Sequence, residues 1–193
     1  MKKRLVQVLS ATVIAIALTG GGVAQAKPAP PPKTTTTEVR GSYVTDVGCV
    51  PRAVTPHAGD PTKFDGSCYF GSTYTGGLVG HTAGHMTVTV DAISGNMSGK
   101  FDEWFYGTYT GDSGSYGGVH YAGSFFIDGQ TSTLWGTGKI LGGTCSFADS
   151  KGSLRFDGMD VYGGFVWQLT RPNPAPVPAP TCNPIDPVPF PVP

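Results

Sequence analysis

Between Gly99 and Phe147 glycines recur at short intervals among aromatic and β-branched residues, and that mixture admits few folds. Aromatic and β-branched side chains suit a pleated, half-buried surface. Glycine supplies tight turns and lets a strand bend where a side chain would collide. The stretch predicts consecutive antiparallel strands that curl into a closed sheet. The chain holds 29 glycines in 193 residues, about twice ordinary usage, and they lack a collagen-like period of three. The excess therefore belongs to turns and kinks.

The two ends differ from this body. Residues 1–26 have the three parts of a secretory signal: basic Lys2, Lys3 and Arg4, an apolar run near Val13 to Leu18, and the small-x-small site at Ala24 and Ala26. The expected product is secreted, begins near Lys27 and carries no other apolar run of the ~18 residues that a membrane-spanning helix needs. Removing the signal leaves ten basic against thirteen acidic residues, which is no electrostatic footprint for nucleic acid. Residues 27–37 are rich in proline and threonine and are expected to form an extended tether, with the barrel domain at 38–171. Residues 172–193 are rich in proline and are expected to form an extended tail of polyproline character.

Cys49, Cys68, Cys145 and Cys182 are an even set in an exported chain, so two disulfides are expected. Four cysteines allow three pairings. The expected one joins Cys49 to Cys68 across a proline-rich loop at 51–61, and Cys145 to Cys182, which pins the tail. No cysteine stands near a histidine at metal-ligand spacing. His81 and His85 share a strand face and could meet His120 or Asp91, but a histidine pair is weak evidence, and neither metal nor cofactor is expected.

Strands are expected at 39–47, 67–75, 84–93, 97–110, 116–128, 132–141, 144–148, 153–156 and 161–169, with no helix after the signal. Within 84–93, Met86, Val88, Val90 and Ala92 fall on one face, directed at the core. Turns are expected at Gly76-Gly77, Gly95-Asn96 and Asp128-Gly129. The fold class is all-β, an antiparallel closed barrel of about eight strands, calycin-like in having room inside for side chains or one small ligand.

Two stretches carry a family resemblance. The run from Trp135 to Leu154 (WGTGKILGGTCSFADSKGSL) resembles the penultimate hairpin of the allene oxide cyclase-like, or dirigent-like, β-barrel group, with Cys145 where that run usually has glycine and Ser150 where it often has alanine. Residues 103–125, with Gly107, Gly111, His120 and Gly123, are similar to a bacterial family of unknown function with the same barrel. The resemblance implies an eight-stranded barrel with an apolar interior. Plant members cyclise an unsaturated epoxide or steer radical coupling of phenols in such a pocket, and their catalytic positions have no counterparts in the matching turns.

The segment 101–109 holds the candidate site. Strand alternation places Phe101, Glu103, Phe105 and Tyr109 on one face, and Asp102, Trp104, Tyr106 and Thr108 on the other. If the first set faces inward, Glu103 is a carboxyl in an apolar barrel and a candidate acid or base. The blander reading, and the expected one, puts Glu103 at a barrel mouth or in a pair with Lys100 or Arg155. Trp104 and Tyr106 would then offer an outer aromatic surface to a cell-wall polymer, or pack across the sheet. The candidate ligand-contacting residues are therefore Phe101, Glu103, Trp104, Phe105 and Tyr106. The expected partner is an apolar small molecule or a cell-wall polymer, bound by a module with no chemistry of its own. The alternative is an isomerase or cyclase built around the pocket.

Overall fold

The computed structural model describes residues 33–49, 52–113, 115–159, 161–173 and Cys182. The expected signal and nearly all of the proline-rich tail lie outside the described residues. Nine strands follow in chain order: β1 (Thr34–Val47), β2 (Arg52–His57), β3 (Asp60–Gly76), β4 (Leu78–Asp91), β5 (Met97–Tyr109), β6 (Gly117–Ile127), β7 (Thr133–Gly143), β8 (Lys151–Met159) and β9 (Tyr162–Pro172). Neighbours from β3 to β9 pair antiparallel in sequence order, β9 returns to β1, and β1 closes on β3 through Gly41–Val47 against Gly71–Gly76. Eight strands thus close the barrel. A ninth, β2, lies outside the ring and pairs only with the first half of β3, which β1 leaves uncovered.

Several expectations need correction. The 51–61 segment is not a loop throughout, because β2 occupies Arg52–His57. Its Pro56 is tolerated because β2 is an edge strand, where a missing N–H breaks no second ladder. The first strand begins at Thr34 rather than Val39, and Thr34–Thr37 pair with Leu169–Pro172 of β9. Residues 144–148 form no strand, since Cys145–Phe147 is a single 3₁₀ turn. There Cys145 takes a left-handed backbone, with φ of +57°. Ala92 is exposed in the turn after β4 rather than directed at the core. The Asp128-Gly129 turn is a longer loop in which the Asp128 carboxylate accepts the N–H groups of Gln130 and Thr131 at 2.8 and 3.0 Å. The left-handed residue of that loop is Ser132, not Gly129.

The expected disulfides are both present, with Cα atoms 5.4 Å apart for Cys49–Cys68 and 5.9 Å for Cys145–Cys182. They stand at opposite ends of the barrel. Cys68 is buried on β3 beneath the start of the β2 hairpin, while Cys145 begins the 3₁₀ turn that covers the other end. Peptide mapping without reduction should recover these two linkages and no free thiol. A Cys68–Cys145 peptide would contradict the arrangement.

Side chains fill the barrel unevenly. At the end capped by the 3₁₀ turn, Leu78, Phe105, Val119, Phe147, Trp167 and Leu169 are all at most 1% exposed. Inward glycines make room for large rings: a Cβ at Gly41 would lie 2.5 Å from the Phe165 ring, and one at Gly123 would lie 2.7 Å from the Phe101 ring. Midway, Tyr74 stacks on Phe165 at 4.7 Å and meets the edge of Trp167 at 6.3 Å. Above that layer the packing stops.

Candidate functional site

A cavity of about 220 Å³ occupies the half of the barrel on the Cys49 side. Its wall is mainly apolar, with Phe70, Met86, Val88, Phe101, Phe125, Ile127, Leu134 and Phe156 contributed by six strands. The mouth lies where the lining reaches Gly48 and Val161, both exposed. The Cys49–Cys68 disulfide fixes that rim, since Cys49 itself lines the cavity. An engineered apolar cavity of about 150 Å³ already takes benzene. This one has room for a ring with a short substituent.

Glu103 lines the cavity and is only 5% exposed, so the expected mouth or surface position is overturned. Neither Lys100 nor Arg155 pairs with it, for both are exposed on the outer face of their strands. The local sequence explains the placement. On β5 the side chains of Phe101, Glu103 and Phe105 alternate inward, and Glu103 faces Tyr121 of β6 on one side and Gly84 of β4 on the other. Gly84 carries no side chain, and a Cβ there would stand 2.9 Å from the Glu103 Cβ. The carboxyl is therefore free to accept hydrogen bonds from the hydroxyls of Thr82 and Tyr121. Thr82 Oγ1 also accepts the backbone N–H of Ser72 at 3.0 Å, and the phenol oxygens of Tyr74 and Tyr121 lie 3.3 Å apart.

Burial pushes the Glu103 pKa up to about 7, against the two hydroxyl bonds that favour its ionised form. Burial also holds the phenols of Tyr74 and Tyr121 well above the ordinary tyrosine range, with the neighbouring Glu103 charge adding to the effect. Among the described residues, no lysine, arginine or histidine forms an ion pair with Glu103. The site is a carboxyl in an apolar chamber, held by neutral donors.

The five candidate residues separate into three places. Phe101 and Glu103 line the cavity; Phe105 is fully buried in the filled half beneath it. Trp104 and Tyr106 lie on the outer face, where Trp104 stacks at 4.7 Å on His120 and at 5.7 Å on Tyr106. His120 is in turn tied to Asp102 at 2.8 Å. The other histidines do not converge. His81 bonds Thr73 at 3.0 Å, His85 packs edge-on to Tyr69, and no cluster of three metal-ligating side chains forms among the described residues.

Tyr121, Thr82 and Tyr74 complete the site and were not singled out from sequence. Extending the inward set of Met86 and Val88 back through Gly84 reaches Thr82, so one of the three was within reach of the alternation. The two tyrosines carried no such signal.

No family model matches the sequence, and no curated protein matches it. Among solved structures, one of a protein of unknown function from the DUF3224 family of Shewanella oneidensis MR-1 is similar, with a TM-score of 0.55 and 15% sequence identity. The likeness covers 70% of this chain and 96% of that one. They share a fold. At that identity the similarity speaks for the β-barrel alone. No helix among the described residues is long and apolar enough to cross a membrane.

Proposed function

We propose that this chain is an exported binding protein that takes a small, mainly apolar molecule into the hollow half of its barrel and anchors its polar group on Glu103. The observation that carries the reading is the pairing of an apolar cavity of about 220 Å³ with one buried carboxyl in its lining. A cavity of this kind, apolar with few convergent polar groups, is the usual form of a small-molecule site. Export is supported by the secretory pattern of residues 1–26 and by two disulfides, which persist in oxidising compartments. The resemblance of the Trp135–Leu154 run to allene oxide cyclase-like barrels agrees with an apolar interior. The outer aromatic surface gives less support to a cell-wall polymer, because the Trp104 ring is already stacked on His120 and Tyr106.

Titration with 2-phenylethanol, followed by NMR, tests this. Saturable shifts should concentrate on Met86, Val88, Phe101 and Phe125, and Val88→Phe, which fills the chamber, should abolish them. Shifts confined to the outer face around Trp104, or no saturation, would contradict the proposal.

A further inference from the structure

The polar groups around Glu103 are neutral hydroxyls. The hydroxyls of Tyr121 and Thr82 both lie beside the carboxyl, Thr82 Oγ1 also reaching the Ser72 carbonyl at 3.4 Å. The phenol oxygens of Tyr74 and Tyr121 lie 3.3 Å apart, and either hydroxyl can donate to the other. Hydroxyl donors favour the carboxylate over the carboxylic acid. Yet nothing in the described residues supplies the cation that a buried carboxylate requires. The arrangement is half of an ion pair.

Resting on the binding role proposed above, we infer that the ligand is a small organic ammonium ion, whose charge pairs with Glu103 while its apolar or aromatic body fills the cavity. An anionic ligand would meet repulsion, and a neutral one would leave the carboxylate uncompensated. The walls add to the selection, because the rings of Phe101, Phe156 and Tyr74 line the same space and the negative face of an aromatic ring attracts a desolvated cation. The titratable groups near Glu103 are the phenols of Tyr74 on β3 and Tyr121 on β6, both kept neutral by burial, and the phenol of Tyr43 on β1, which lines the same cavity; β4 contributes only the Thr82 hydroxyl. Glu103 is therefore the group whose charge changes near neutrality.

Calorimetric titration of the full chain with 2-phenylethylamine and with 2-phenylethanol, which share one body and differ in charge, tests the inference. At about pH 8, where Glu103 is ionised, the amine should bind tighter than the alcohol by about tenfold or more, the worth of one charge-assisted hydrogen bond. Glu103→Gln should remove that advantage, so that amine and alcohol bind alike, and so should a pH near 5, where Glu103 keeps its proton. Equal or weaker binding of the amine, with the alcohol still saturating the cavity, overturns this inference and leaves the binding role standing. An amine advantage that survives Glu103→Gln overturns it as well. Failure of both molecules to bind removes the binding role and the inference together.

Discussion

Trp167→Ala should destabilise the protein by about 4 kcal/mol, the range of a large aromatic ring removed from a packed core. Trp167 is fully buried and meets Tyr121 edge-on at 4.8 Å, Phe105 at 6.0 Å and Phe165 at 6.3 Å, so its loss opens a void in the layer that floors the cavity. No hydrogen bond goes with it, because the indole N–H meets no acceptor among the described residues. Trp167→Phe therefore separates packing from polarity. It keeps most of the ring, relieves an unsatisfied buried donor, and should cost less than about 1.5 kcal/mol. Denaturant unfolding of both variants checks the pair. Equal losses in the two would show that the indole N–H has a partner that matters.

Glu103→Gln should act in the opposite direction and with a marked pH dependence. The folded state holds the Glu103 proton up to about pH 7, whereas an unfolded chain releases it near 4.5. Below both values the carboxyl is protonated in either state and contributes no difference. As pH rises from 4.5 through 7 the unfolded chain ionises first, so wild-type stability falls, by on the order of 3 kcal/mol in all. The amide carries no charge, and its carbonyl still accepts from Thr82 or Tyr121. Unfolding midpoints of the variant should stay level across that window and exceed wild type by most of this amount at about pH 8. Parallel curves for the two proteins would contradict a buried, proton-retaining Glu103.

The two disulfides illustrate what the chain discloses locally. Cys49 and Cys68 bracket a proline-rich segment, and Cys145 and Cys182 bracket the end of the sheet, so the pairing follows from which residues a folded sheet brings near. The inward set of Phe101, Glu103 and Phe105 was equally legible, because alternation fixes which side chains share a face. The fate of Glu103 was not. Reading it as a surface residue rests on the ordinary cost of burying a carboxylate. What offsets that cost is Thr82, Tyr121 and the space left by Gly84, all on neighbouring strands and all brought in by register. The cavity itself was hidden for a related reason. Whether eight strands fill their interior depends on the summed volumes of inward residues from all of them, and no single strand states that sum. The edge strand β2 was masked by prolines, which mark a loop more often than a strand lacking a second neighbour.

Glu103 sits shielded from water in the hollow half of the barrel, and its proposed role there is that of an anchor. Its carboxyl resonance can be followed directly by carbon NMR in protein labelled at glutamate, with Glu103→Gln supplying the assignment. A midpoint of about 7 is expected, with a fall from that value on addition of 2-phenylethylamine as the ammonium ion stabilises the charged form. A midpoint near 4.5, unchanged by the amine, is the behaviour of a solvated surface glutamate and would contradict it.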